Sequence, residues 1–347
     1  MQKNILFVNL DKNWGGGQEY LLTLSQALSS KYNVFLLVKP KSISKERLTS
    51  ALKDSNVLFL EVNFLSFKFY IDLVQIIWKS DYICIQREHD LWVALMTRVC
   101  SPLKKIFYFQ QIEPRKFRFL VLFADKIIAN SKFIQNLVND KYSKFGKEIS
   151  VMYPLCRDTV IPPDNKTKML LKGKPKLLMS GAFYKQQHLF FPILRNLLNS
   201  LPEAHLTLIS PNQKKELKEN IISNITRLNL QESITIFEGL PRAEYLQLLN
   251  QADFFLYTFT KEPFGFAILE SCQLKKFIIC YKGGGVSEIL EHYSKSSLIQ
   301  PDDILGFENA IKINYENLSY QSNVDLTYFD KVFSFSQNIA LYENLFS

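Results

Sequence analysis

The chain has 347 residues, 47% apolar and 22% charged, with 42 lysines and arginines against 33 acidic residues and a formal charge of +9. That length and apolar content bury more than one core, which predicts two domains and excludes a largely disordered protein. The positive balance predicts an anionic partner, a nucleotide diphosphate or an acidic lipid surface; without a zinc-finger, RNP-type or arginine-rich motif, nucleic acid is not expected.

Residues 5–10, ILFVNL, predict a first strand. Trp14-Gly15-Gly16-Gly17-Gln18 then leads into a helix over 19–28, with Tyr20, Leu21, Leu24, Ala27 and Leu28 at helical spacing, and a strand follows over 33–38. This is a βαβ pattern with a glycine turn, though not the G-x-G-x-x-G dinucleotide fingerprint. Residues 43–79 are mixed, with a strand signal at 57–62 and a helix at 69–77. A strand at 82–86 ends on Arg87-Glu88-His89-Asp90 before a helix over 91–100. Ionisable side chains at a strand's carboxyl end make either a polar site, with His89 as an acceptor-side group, or a helix start capped by Asp90.

A strand at 106–110 runs into Gln110-Gln111-Ile112-Glu113-Pro114-Arg115. The following Arg115-Lys116-Phe117-Arg118-Phe119-Leu120 interleaves bases with aromatics. That pattern fits a segment lying on an anionic membrane, with Lys104-Lys105 nearby, and equally an amphipathic core helix with a basic outer face. A strand ending on Asn130-Ser131 precedes a helix over 132–139, which that pair caps. A strand at 149–154 closes a first domain, 1–156, and the polar 157–175 reads as a linker.

A second domain is expected over 176–327. Its first strand reaches Gly181, followed by Ala182-Phe183-Tyr184-Lys185, a helix over 189–198, a strand over 205–209 and a helix over 215–228. The runs 253–258 and 276–281 are apolar throughout, as buried parallel strands are. Between them Glu262-Pro263-Phe264-Gly265 opens a helix over 266–273, and after them Gly283-Gly284-Gly285 opens another at Ser287-Glu288. Two helix starts are thus aimed at one carboxyl edge of a sheet, where open α/β sheets bind ligands. Their backbone N–H groups suit phosphate and sugar oxygens. Carboxylates only accept, so Glu262 and Glu270, spread over roughly 12 Å of helix, suit vicinal hydroxyls. The same two glutamates also fit an ordinary charged helix surface. A helix over 304–315 and a tail over 328–346 complete the chain.

Five scattered cysteines predict free thiols in a reducing compartment, and four spaced histidines give no zinc pattern. The first apolar run is too short for a signal peptide and none reaches membrane-spanning length, so a cytoplasmic protein is expected.

The run EPFGFAILES, Glu262 to Ser271, resembles the E-x7-E signature of family-4 glycosyltransferases. The likeness extends through its surroundings, from Gly239 to Asp253 before it and Gly284-Gly285-Val286-Ser287-Glu288-Ile289 after it. The resemblance implies the GT-B fold: two Rossmann-like α/β/α domains with a cleft between them, and a last helix, 328–347, returning to the first. It implies a retaining transfer of a hexose-type sugar from a UDP- or GDP-sugar, with no metal or other cofactor. The acceptor would be a glycan or lipid-linked saccharide, in cell-surface polysaccharide or glycolipid synthesis at the inner face of the membrane.

By the same resemblance Glu262 meets the donor sugar and Glu270 the ribose. Phe264 and Gly265 offer backbone contacts, and Gly181, Gly284 and Gly285 line the donor site. Lys185 neutralises the diphosphate. Gly16 and Gly17 resemble a "GGAE" loop that lies between donor and acceptor, and Gln111 and Arg115, in a loop resembling "H-x-P-P-R", stand on the acceptor side, where residue types alone also put His89. Five positions depart from the pattern: Glu113 and Leu155 each stand where a proline would, and the other three fall at positions the family uses. Gln18 replaces a glutamate, Gln111 a histidine, and Ala182 the arginine of a "G-R-…-K-G" strand end. These departures motivate a second reading, a catalytically weak or inactive nucleotide-sugar-binding partner subunit. A sugar-nucleotide epimerase fits the fold but not the Glu262–Glu270 surroundings, and an NAD dehydrogenase fits neither glycine turn.

Overall fold

Uninterrupted apolar strands have no solvent face, so helices must cover both sides of the sheet they form. The computed structural model describes residues 2–113, 118–161, 169–212, 214–317 and 324–347. It divides into two units, Met1–Arg157 with Lys331–Ser347, and Asp158–Asp330.

In unit 1 the strands are β1 (Asn4–Asn9), β2 (Asn33–Val38), β3 (Val57–Glu61), β4 (Tyr82–Ile85), β5 (Lys105–Gln110), β6 (Lys126–Ala129) and β7 (Ile149–Val151). They pair in parallel in the order β3-β2-β1-β4-β5-β6-β7. Helices α1 (Gly16–Leu28), α2 (Ile43–Ala51), α3 (Phe67–Lys79), α4 (Trp92–Cys100) and α5 (Lys132–Tyr142) lie in the crossovers. In unit 2, strands β8 (Lys176–Ser180), β9 (His205–Ser210), β10 (Ile234–Glu238), β11 (Phe254–Tyr257), β12 (Phe277–Tyr281) and β13 (Ser296–Ile299) pair in parallel as β10-β9-β8-β11-β12-β13. Their helices are α6 (Phe191–Leu197), α7 (Lys215–Arg227), α8 (Arg242–Gln251), α9 (Phe266–Gln273), α10 (Gly284–Leu290) and α11 (Ile304–Glu316).

Both sheets share one rule. The chain steps outward from its first strand in one direction, then returns to the centre and steps outward in the other. The loops after β1 and β4, and after β8 and β11, therefore diverge and leave a crevice at the carboxyl ends of the strands. Apolar side chains from strands and helices fill each core, among them Leu6, Ile83, Tyr108 and Tyr142 in unit 1 and Phe190, Leu206, Phe254 and Phe307 in unit 2.

The chain ends in α12 (Thr327–Phe333) and α13 (Phe335–Leu345). The α13 residues belong to unit 1. Tyr342 meets Tyr20 of α1 hydroxyl to hydroxyl at 2.7 Å, and the ring of Phe346 packs edge-on against Tyr82.

The structure changes several boundaries. The glycine turns expected to precede two helices are their first turns, since α1 starts at Gly16 and α10 at Gly284. Helix α2 falls in the stretch that carried no clear period, because it buries only Ser44 and Leu48. Strands β10 and β13 are half-buried edge strands that the sequence reading does not mark; β13, SSLI, is half polar, and β10, ITIFE, keeps its apolar–polar alternation only as far as Ile236. Asp90 does not cap α4; its carboxylate accepts from the backbone N–H of Leu10, across the sheet edge, at 3.2 Å. Ser131 does cap α5, accepting from Ile134 N–H at 3.1 Å. A short 3-10 turn occupies Arg118–Phe123, while Arg115 and the rest of 114–117 lie outside the described residues. The five cysteines are free. Among the described residues no helix is long and apolar enough to cross a membrane.

Candidate active site

The turn after β8 is built to present Lys185. Gly181 takes φ +135°, a conformation open to glycine, and Gln187 Nε2 donates to the carbonyls of Gly181 at 2.8 Å and Ala182 at 3.1 Å. Thr258 Oγ1, past the end of β11, donates to the carbonyl of Gln186 at 2.9 Å. Held this way, Lys185 Nζ stands 2.8 Å from Glu262 Oε2, on the turn after the neighbouring strand. The same oxygen accepts from the hydroxyl of Tyr257. Burial first, and then the Glu262 carboxylate, push the Tyr257 phenol well above its ordinary range, so it acts as a fixed donor.

Glu270 lies on the second turn of α9 and is buried. Arg242, at the start of α8, places Nη1 2.6 Å from Glu270 Oε1, and Tyr245 follows on the same helix. Burial, then the charge of Glu270, raise the Tyr245 phenol well above its usual range. Both glutamates are thus buried and cation-paired, with a neutral phenol beside each. Buried carboxylates need such partners, and a plain charged helix surface does not describe them.

The glycine turn underneath holds this arrangement. Gly284 takes φ +61°, and a Cβ there would stand 2.5 Å from the carbonyl oxygen of Glu262. A Cβ on Gly285 would stand 2.4 Å from that of Pro263, while Gly285 N–H donates to Glu262 O at 2.8 Å. Gly265 is the N-cap of α9 at φ +109°, and Phe264 beside it is buried.

Unit 1 assembles a second polar group at its own crevice. Asp11 Oδ2, after β1, accepts from Arg87 Nε at 2.5 Å and from Gln18 Nε2 at 2.6 Å. A Cβ on Gly17 would stand 2.5 Å from Gln111 Oε1 and 3.0 Å from Arg87 Nη2, so these three positions converge. Gly16 opens the same helix turn. His89 is half exposed, with Nε2 3.2 Å from Asp90 Oδ1. Burial, opposed by His89, pushes Asp90 up to about 6. Among the described residues no group of three or more His, Cys, Asp or Glu side chains could hold a metal.

Sequence reading alone missed Arg242, Tyr257, Tyr245 and Asp11. Arg242, Tyr245 and Asp11 matter through partners distant in the chain, and Tyr257 through Glu262 on the turn that follows its strand; no local pattern marks them.

Residues 163–324 match the family model described as glycosyl transferases group 1. No curated protein matches the chain. Among solved structures, HepE of Anabaena, crystallised with UDP and glucose, is 18% identical over 99% of both chains with a TM-score of 0.79. A glycosyltransferase from Rickettsia africae is 14% identical over 99% of this chain and 98% of its own, with a TM-score of 0.75. The sucrose-phosphate synthase of Thermosynechococcus elongatus is 14% identical over the same shares, with a TM-score of 0.77. These likenesses, with the two parallel α/β sheets, establish the GT-B fold.

Proposed function

We propose that the protein is a retaining glycosyltransferase of the family-4 type. It moves a hexose-type sugar from a UDP- or GDP-sugar to a glycan or lipid-linked saccharide. One observation carries this reading: Glu262 and Glu270 are both buried at one sheet edge, each paired with its own cation. Leaving-group departure builds oxocarbenium character on the sugar and negative charge on the diphosphate. Lys185 answers that charge, and the N–H groups at the starts of α9 and α10 add to it. Glu262 accepts from sugar hydroxyls and Glu270 from the ribose. UDP as the nucleotide is supported by HepE, which was crystallised with UDP-glucose.

A peripheral membrane site in surface polysaccharide or glycolipid synthesis fits the surface of unit 1. Leu65 is 99% exposed and Phe67 81%, next in sequence to the exposed Lys68, and Leu103 is 93% exposed, two residues before the exposed Lys105. Apolar side chains among lysines suit an anionic lipid surface.

Ala182, at the position of the family's arginine, favours the second reading, a nucleotide-sugar-binding partner subunit. One assay separates the two. UDP-, GDP- and ADP-sugars are incubated with the protein and a lipid extract, and nucleotide release and product are followed by mass spectrometry, beside Glu262→Gln. Turnover of one donor, lost in the variant, is the expected result. Tight nucleotide binding without turnover of any donor would replace the enzyme by the binder.

A further inference from the structure

The turn after β8 sends three consecutive side chains in three directions. Phe183–Lys185 forms a 3-10 turn, in which successive side chains stand about 120° apart. Phe183 is buried in the core of unit 2, and Lys185 reaches Glu262 at 2.8 Å. Tyr184 takes the remaining direction and is 61% exposed. Its ring stands edge-on to that of Phe259, with 6.4 Å between centroids and 87° between planes. Phe259 lies on the turn after β11, between Thr258 and Glu262 in the chain. After burial and Glu262 itself, Tyr184 adds to the upward push on the Tyr257 phenol, which donates to Glu262. The two aromatic residues thus border the Lys185–Glu262 pair on the same turns that carry it.

The turn is held against a backbone cost. Gln186 takes φ +60°, a left-handed conformation that a non-glycine residue enters only under constraint. The hydroxyl of Thr258 supplies the constraint by donating to the Gln186 carbonyl at 2.9 Å. Tyr184 is therefore presented at a set position, with much of its ring open to solvent. A hexose carries hydroxyls around its rim and C–H groups on its faces. Glu262 suits the hydroxyls, and a flat apolar ring beside it suits a C–H face. Ligand sites combine a few placed polar groups with aromatic walls in this way. The pair adjoins Glu262, the carboxylate assigned to the sugar, which selects the sugar ring over the nucleobase.

We propose that Tyr184, backed by Phe259, is a specificity residue of the donor site: an aromatic wall that takes the C–H face of the transferred hexose. The inference rests on the glycosyltransferase reading, because that reading places the sugar at Glu262.

The test titrates the full chain by calorimetry with UDP, UDP-glucose, UDP-galactose, GDP and GDP-mannose, in the wild type, Tyr184→Ala and Tyr184→Phe. Tyr184 is largely exposed, so neither substitution endangers the fold. Tyr184→Ala is expected to weaken the bound sugar nucleotide by about three- to tenfold and to leave the bare nucleotide unchanged. Tyr184→Phe keeps the ring and is expected to bind both like the wild type. A residue that only shaped the turn would weaken nucleotide and sugar nucleotide alike, and that result overturns the proposal. Sugar-nucleotide affinity unchanged in Tyr184→Ala overturns it as well. A wild-type protein that binds none of these nucleotides sinks the glycosyltransferase reading and the wall with it. Nucleotide binding without any sugar-dependent effect of Tyr184→Ala sinks the wall alone.

Discussion

The ammonium of Lys185 lies 2.8 Å from the carboxylate of Glu262, on turns that follow the adjacent strands β8 and β11. The cation proposed for the phosphates and the acceptor proposed for the sugar hydroxyls therefore position each other. Residues that act as a unit are not additive. Lys185→Ala and Glu262→Ala are each expected to lower kcat/KM by about a hundredfold or more, and the double variant to fall well short of the product of the two losses. Losses that multiply in steady-state kinetics would mean the two groups act independently.

Tyr257 donates its buried hydroxyl to the same Glu262 oxygen. Tyr257→Phe keeps the ring in the core, and Lys185 still pairs the carboxylate. A stability loss of about 1 kcal/mol and a drop of about tenfold in kcat/KM are expected, the second from a less firmly held Glu262. Chemical denaturation and kinetics on the same preparation separate the two effects.

Arg242 orients Glu270, the carboxylate proposed for the ribose. Arg242→Gln is expected to raise the donor KM by about three- to tenfold while kcat stays near the wild-type value, since ribose contacts are shared by ground and transition states. A fall in kcat at unchanged KM would instead put Arg242 in the chemical step.

At Gly285 an added methyl would meet the carbonyl of Pro263 at 2.4 Å, and backbone there cannot swing aside as a side chain could. Gly285→Ala is expected to cost about 1–3 kcal/mol of stability and to displace the Glu262 turn, lowering turnover as well. Thermal melts and donor kinetics check both, and a variant that melts and turns over like the wild type would refute the packing role.

Asp90 supplies a pH-dependent term. In the unfolded chain it ionises near 3.8, whereas burial keeps it protonated in the fold up to about 6. Within that window the folded protein holds a proton that the unfolded chain has released. Stability therefore falls as the pH rises through it, by up to about 3 kcal/mol. Asp90→Asn keeps an oxygen for Leu10 N–H and removes the charge. Its melting temperature is expected to exceed that of the wild type above pH 7 and to lose the advantage towards about pH 4. Parallel slopes of the two proteins across that range would rule the term out.

Much of the fold is legible in local pattern. Strands such as ILFVN and YICI are buried on both faces and so read as unbroken apolar runs, and Ser131 announces its helix by chemistry that acts three residues away. The stretch from Glu262 to Ser271 carries its identity in contiguous residues, so its glutamates could be singled out from sequence. Helix α2 and strand β13 were not legible, because elements that bury little need little hydrophobic periodicity.

Tertiary structure alone decided the rest. Glycine-rich stretches are poor helix formers, yet Gly16 and Gly284 open helices because neighbouring groups lie too close for a Cβ at Gly17, Gly284 and Gly285. Arg87 and Asp11 in unit 1, and Lys185 and Glu262, and Arg242 and Glu270 in unit 2, meet only after parallel crossovers have brought distant loops to an edge of that unit's own sheet. Periodicity along the chain registers which residues are buried together on one element. Which charges face one another across a crevice is set by the order of the strands, and that order is a property of the folded sheet.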